Sequence, residues 1–538
     1  MTFYSWFVFF LAVQIIHFLG TWKLYQAAGR KSWEAAIPVY NSIVLMKIIG
    51  RPTWWTLLLF IPIINLIMFP VVWVETLRTF GKKSTLDTIL GLFTLGFYIY
   101  VVNYTQKLEY NKDRKLTPEN KAADTVSSLL FAIIVATLVH TYVVQPYTIP
   151  TSSLEKSLLI GDFLFVSKLN YGPRVPMTTV ALPMVHDSIP MTKSKSYLSW
   201  PQLPYLRLPA FQKINRCDIV VFNWPVDTVH YFFEPKGRPG VIKPIDKKSN
   251  YVKRCVGVPG DSLSIKDGYV FINGKKLVLP ERAKPQYSYA VALDGKTPID
   301  FETIFKELDI TDPAGFRTEK RDTLYLGALT EAGAERFKNT PGVTAVIRKV
   351  DTGDNNDIFP HINKWNQDNM GPIYIPEAGK TVALTNESLP FYKEIITNYE
   401  GNTLELQGSK FIINGKPATT YTFKQNYYWM MGDNRHNSED SRYWGYVPED
   451  HIVGKPVFIW MSWDTNGKGI NKVRWSRVFT TVDGEGQPQS YFKYFLILLA
   501  IYFVGDFIWK KRRENKACLL YTSPSPRDQR GSRMPSSA

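Results

Sequence analysis

Five stretches of this 538-residue chain are apolar for long enough to cross a bilayer as helices, and they limit what the remainder can be. A helical crossing takes about 20 such residues. Residues 3–20 (FYSWFVFFLAVQIIHFLG), 54–77, 86–103, 125–145 and 491–509 (YFKYFLILLAIYFVGDFIW) are the candidates, with Gln14 and His17 as polar exceptions in the first. The first has neither a basic n-region nor a small-residue cleavage site, so it reads as a retained anchor, not a removable leader. Residues 86–103 also allow a re-entrant reading.

The formal net charge of +17 would fit nucleic acid, but much of the excess flanks the apolar stretches. Lys107, Lys112, Arg114 and Lys115 sit in one linker, and Lys510, Lys511, Arg512 and Arg513 follow the last span. That placement is what the positive-inside rule and anionic lipid predict. No stripe of interleaved arginines and aromatics is present to grip a strand, so no nucleic-acid partner is expected. Both basic segments should be cytoplasmic, which puts the N-terminus and the whole of 146–489 outside. Arg78, Lys82 and Lys83 would then lie outside too, against the rule.

Residues 21–53 read as an amphipathic connector, with Trp54 and Trp55 at the interface. The front part, 1–104, is similar to a small three-span domain attached to various bacterial proteins, and no chemistry attaches to it. A basic linker, 105–124, and an anchor, 125–145, follow. At the other end, a C-terminal span at 490–509 leads into a basic tail, 510–538. From about Cys518 this tail turns abruptly to Ser, Pro and Arg, resembles read-through of non-native sequence, and is expected to add nothing to the fold.

Between the anchor and the last span the apolar period changes to two. DFLFVSKLNYG, DIVVFNWP, NYVKRCVGVPG, DSLSIKDGYVFINGKKL and KFIINGKP read as strands bounded by Gly, Pro, Asn or Asp. Two of them carry the Asn-Gly signal of a tight hairpin. Helical periodicity is confined to 301–308 and 330–338. A mainly β, antiparallel extracytoplasmic domain is expected over 146–489, with insertions near 173–212 and 285–425. The aromatic, proline-rich segment 196–211 suits either the lipid interface or a loop packed on the β core. The three cysteines form no disulfide framework; Cys217 and Cys255 are read as small buried thiols, with a bridge the alternative. No Cys/His cluster has metal-ligand spacing, so neither metal nor cofactor is expected.

Chemistry concentrates in four segments. QPYTIPTSSLEKSLLIGDFLFVSKLNYG begins directly after the fourth span, and NRCDIVVFNWP, YVKRCVGVPGD and MMGDNRHNSEDSRYWGYVP follow in that order. Together they resemble the ordered boxes of bacterial signal peptidase I, a family of Ser/Lys serine endopeptidases with a β fold of the kind shared with self-cleaving repressors. The resemblance implies Ser153 as nucleophile and Lys253 as general base. It also implies Thr151 as an oxyanion donor, Ser438 as a hydrogen-bond partner of the lysine, and Asp440 with Arg442 as a bracing ion pair. Tyr147, Ile149, Leu158, Tyr251 and Val252 stand at the family's pocket positions for small side chains at −3 and −1 of a signal peptide. His436 replaces the family's usual aspartate, which puts local ion pairing in question. Leu154, Lys156 and Ser157 also depart from the usual Met and Pro-Thr.

Elementary chemistry is consistent with that carry-over. A serine hydroxyl needs a neighbour to take its proton. A lysine does so near neutral pH only if burial lowers its pKa. Lys253 lies among Tyr251, Val252, Cys255 and Val256, while Arg254 should face the other side of the strand. No histidine sits in a motif that would build a Ser-His-Asp triad. The implied partners are signal peptides of exported preproteins, membrane lipid and the secretion machinery, at the bacterial cytoplasmic membrane with the catalytic domain outward. The alternatives are a self-cleaving or regulatory peptidase of the same fold, and a catalytically silent membrane-anchored binding module.

Overall fold

The computed structural model describes residues 2–117, 120–231, 233–234, 237–316, 321–362, 365–408, 410–464 and 467–522, with side chains to 514. The tail reading from Cys518 therefore falls largely outside the described residues.

Among these, three helices are long and apolar enough to cross a membrane: Phe3–Ala27, Lys121–Val143 and Phe492–Glu514. Residues 54–77, expected as one continuous span, are not. They form short helix Trp55–Leu58, a break, and helix Asn65–Thr79. The break holds Pro62, which lacks an N–H donor and restricts the residue before it, followed by Ile63 at φ 69°. Residues 86–103 also break, into Thr85–Phe93 and Tyr98–Thr105, bent by 119°. Gly96 makes that corner at φ 85°, where an added Cβ would stand 2.6 Å from the Trp73 ring. These pieces pack into one core with the first helix through Leu24, Tyr25, Met46, Ile64 and Phe80. The linker joins it as well. Arg114 and Arg51 both pair with the buried Glu75, Arg51 at 2.9 Å, so Arg114 is not a free surface cation.

The β region is built on one antiparallel sheet. Its strands are β1 (Val144–Thr148), β2 (Asp162–Ser167), β3 (Ile219–Asn223), β4 (Asn250–Gly257), β5 (Tyr427–Met431), β6 (Val447–Pro448), β7 (Ile452–Ser462) and β8 (Thr480–Thr481). The order across the sheet is β1-β2-β7-β3-β4-β5-β6, with β8 added on β7. β4 is therefore central, and residues from Lys253 to Gly257 are all buried. β3 runs along β4 from Asn250 to Arg254, whereas β5 joins only at Arg254 and beyond. The first half of β4 thus keeps one open edge. This mainly antiparallel β fold with apolar helices is the class that the period-two pattern predicts.

The segment 285–425 builds its own layers. Four strands in the order Val343–Arg348, Gln286–Leu293, Thr323–Thr330, Ala314–Phe316 pack on helix Glu331–Lys338 through the fully buried Phe337. Both Asn-Gly turns are formed, at Asn273-Gly274 and Asn414-Gly415. The arm 173–212 folds back on itself through isolated bridges from Arg174↔Arg207 to Ser188↔Lys195. Tyr197 packs inward, whereas Trp200 (70%) and Phe211 (81%) are exposed, and the Trp6 indole of the first helix donates to the Gln202 carbonyl at 2.9 Å. Both thiols, Cys217 and Cys255, are free.

Candidate active site

Ser153 lies in a single 3-10 turn, Ser152–Leu154, entered from extended Thr151. Lys253 lies mid-strand on β4. Their side chains meet: Lys253 Nζ stands 2.6 Å from Ser153 Oγ, across 100 residues of sequence. Both are buried, at 4% and 7% exposure. Desolvation pushes the Lys253 ammonium down to about 8 from the ordinary 10.5, while the charges of Asp440 and Glu439 pull it back up. Burial wins because the strand is covered on both faces.

The turn after β5 braces this pair. Asp440 receives Arg442 Nε and Nη2, both at 2.8 Å, the Gly432 N–H at 3.0 Å and the Ser438 hydroxyl at 2.8 Å. Asp440 and Arg442 are almost wholly buried, and each ion holds the other's charge in place. The expected Lys253–Ser438 hydrogen bond is not formed: the Ser438 hydroxyl donates to Asp440, and Lys253 Nζ is directed at Ser153. A second ion pair lies on the other side of β4, where Arg254 clamps Asp433 at 2.8 and 2.6 Å. His436 leaves the Asp440–Arg442 pairing intact. Its Nε2 stands 2.9 Å from Asp368, and Nδ1 accepts the Ser288 N–H at 2.9 Å, which tethers the turn to the inserted layers.

Sequence reading missed how the backbone of Ser153 is held. Asn434 N–H donates to the Ser153 carbonyl at 3.1 Å and its side-chain amide to the Ser152 carbonyl at 3.3 Å. Asn437 donates to the Ser152 hydroxyl at 3.0 Å. Both amides also donate to Asp312, at 3.0 and 2.7 Å. The asparagines sit inside the last sequence box and were legible there. Asp312 comes from the insertion and carried no signal.

The five pocket positions do not share one surface. Ile149 and Leu158 are nearly fully buried in one apolar cluster, with Tyr147 and Val252 packed against it. Tyr251 belongs to the neighbouring cluster, stacked on Trp224 at 4.9 Å. Alternation along β4 sends it to the side of Lys253, whose amine lies 5.5 Å over its ring. Thr151 is half-buried, and its hydroxyl caps no backbone group of the turn that follows.

A serine hydroxyl against a buried amine, on an antiparallel β fold, is the equipment of a serine hydrolase. Residues 122–316 and 418–463 match the family described as signal peptidase, peptidase S26, and residues 33–113 match a family of unknown function, DUF5684. The chain is 25% identical over 366 residues to signal peptidase I of Buchnera aphidicola (subspecies Acyrthosiphon pisum), covering 68% of this chain and 81% of that protein. It is 24% identical over 384 residues to signal peptidase I of Haemophilus influenzae, covering 70% and 80%. Against signal peptidase I of Pseudomonas aeruginosa it is 22% identical over 375 residues, covering 68% and 81%. Over these residues the chain is similar to the signal peptidase family, peptidase S26, and it is a serine endopeptidase.

Proposed function

We propose that this chain removes N-terminal signal peptides from exported preproteins, using Ser153 as nucleophile and Lys253 as general base. The observation that carries the reading is the 2.6 Å pairing of two buried groups, one of them an amine whose pKa is near 8. The neutral amine takes the hydroxyl proton as Oγ attacks the scissile carbonyl, and Thr151 supplies a hydrogen bond to the developing oxyanion. The resulting ammonium gives its proton to the leaving amine. Water, deprotonated by the same lysine, then hydrolyses the ester.

The peptide would add as a strand between residues 149–152 and the open first half of β4. Ile149, Leu158, Tyr147 and Val252 would form the floor for alanine-sized side chains, and near-complete burial of the first two leaves no depth for larger ones. The basic linker and tail favour the cytoplasmic side, with the catalytic domain outward, where exported chains and the secretion machinery meet the membrane. Asp440 and Arg442 hold the site, and Ser438 acts through Asp440.

The test is cleavage of a preprotein with Ala-x-Ala before the cut by the detergent-solubilised full chain. Phenylalanine at −1 should stop it; cleavage indifferent to that change, or confined to the enzyme's own chain, rejects the reading. kcat/KM should rise about tenfold per pH unit below pH 8 and level off above it, since only the neutral amine is a base. Asp312→Ala should lower kcat by about tenfold with little change in KM, because it loosens the turn carrying Ser153 without touching the pocket floor. Asp312→Asn, which retains a carbonyl acceptor, should recover much of that loss.

A further inference from the structure

A small cavity of about 130 Å³ opens where the anchor helix ends. Its walls come from three parts of the chain: Ile63 of the front module, His140 and Gln145 at the outer end of the anchor, and Lys168, Arg174 and Lys247 of the β domain. The anchor gives up α-helical winding there, since Val139–Val143 is a π turn that carries His140 into the cavity wall.

The three cations are the unusual feature. Lys168 and Lys247 are 7% and 6% exposed. Lys168 Nζ has Gln145 Oε1 at 2.7 Å, and Lys247 Nζ has the His186 carbonyl at 2.7 Å. Arg174 holds the Asn223 side-chain carbonyl at 2.7 Å and the Asp450 carbonyl at 2.6 Å. Among the described residues, none of the three makes an ion pair. The one carboxylate on the cavity wall, Asp246, is taken by Thr178, through N–H at 2.9 Å and hydroxyl at 2.6 Å. Two buried ammonium groups and the half-buried Arg174 guanidinium face this one wall carboxylate. Asp187 and Asp450 act on Lys247 and Arg174 from beyond the wall, but no carboxylate offsets Lys168, so an excess of positive charge remains that neutral oxygens only partly offset. Burial pulls both ammonium groups below their ordinary value, and an anion among them would reverse that cost.

A larger cavity of about 460 Å³ behind the nucleophile turn is also basic, but its charges are largely matched. There Arg216 pairs with Asp261, Arg254 with Asp433, Arg477 with Asp162 and Lys455 with Asp218. Of these two cavities, the one at the anchor combines buried cations without an ion-pair partner, Lys168 and Lys247, with a place at the end of a membrane-spanning helix.

We infer that this cavity binds a phosphate group, that of an anionic phospholipid headgroup at the outer end of the anchor. Its volume is well under that of a pocket enclosing a whole small molecule, so the phosphate enters while the acyl chains stay in the bilayer. Such a lipid would join the front module, the anchor and the β domain at one point.

The experiment uses the full chain extracted from mixed micelles of phosphatidylglycerol and phosphatidylcholine, with native mass spectrometry to count retained lipid. The unaltered protein should keep phosphatidylglycerol over phosphatidylcholine by at least about tenfold, the scale set by two or three unscreened cations. Lys168→Met and Lys247→Met should each bring the ratio near one, and Lys168→Arg should keep it. Unchanged preprotein cleavage in phosphatidylcholine micelles would show that the methionine variants are folded. Millimolar inorganic phosphate should neither displace the lipid nor raise the melting temperature. If phosphate does both, and the methionine substitutions cancel it, the site takes soluble phosphate and the lipid assignment falls. If the unaltered protein shows no preference and no response to phosphate, the site does not exist, whatever the variants do. A preference that survives both methionine substitutions places the lipid elsewhere and equally overturns the proposal.

Discussion

Lys253→Met lowers kcat/KM for a preprotein by at least about 10³-fold, and Ser153→Ala does the same, while the double variant is no worse than either alone. The non-additivity follows from the geometry. In the proposed mechanism the two groups, 2.6 Å apart, act as one device, in which an amine without its hydroxyl, or a hydroxyl without its amine, has no function left to lose. Methionine is the sharp choice because it keeps the length and apolar body of the lysine inside a central strand. The same substitution has a second, opposite signature. Unfolded, the amine binds its proton with the ordinary pKa of 10.5; folded, with about 8. Between those values the unfolded chain holds more protons, so the unaltered protein gains about 3 kcal/mol of stability as pH rises from 8 to 10.5, and none below 8. Lys253→Met removes that slope and is the more stable protein at pH 7. Denaturant melts at pH 7 and pH 10 check this directly. A variant that loses activity by unfolding would instead be less stable at both, and an active Lys253→Met would end the Ser–Lys account.

The contrast between inactive and more stable shows why some of the site was legible in sequence and some was not. Ser153, Lys253, Asp440 and Arg442 lie in segments whose residue types are tied to chemistry, and period-two alternation already put Lys253 and Arg254 on opposite faces of one strand. The same alternation, applied to Tyr251, would have separated it from Val252, and it packs with Trp224 accordingly. Ser438 was harder, since whether an amine distant in sequence comes within reach of its hydroxyl depends on how β4 and the turn after β5 stack, while the carboxylate two residues on is a local acceptor in any case. Asp312 was out of reach, because a contact between an insertion loop and the turn after β5 depends on how whole layers stack. The apolar stretches erred differently. Length and composition cannot tell a bilayer span from a segment broken at Pro62 and buried against its neighbours, with Glu75 paired inside it.

Gly432→Ala tests the packing of the site without removing any functional group. Gly432 has no need of glycine's conformational freedom, since its φ is not positive; what it needs is space. A Cβ there would lie 2.2 Å from Ser438 Oγ, 2.6 Å from Ser438 Cβ and 2.5 Å from the Ser153 carbonyl oxygen. Real Cβ atoms do not approach so closely, so something must yield. Neither neighbour is a loose side-chain end: Ser438 is held by Asp440, and the Ser153 carbonyl by the Asn434 N–H. The turn carrying the nucleophile has to move by a sizeable fraction of an ångström, away from an amine it must meet at 2.6 Å. A displacement of that size costs about 10²-fold in rate, against about 1–3 kcal/mol of overpacking in stability. kcat should therefore collapse at temperatures where circular dichroism and melting still show a folded protein. Full activity in Gly432→Ala would mean that the nucleophile turn is not pinned between Gly432 and Asn434, and the bracing argument for the whole turn after β5 would fail with it.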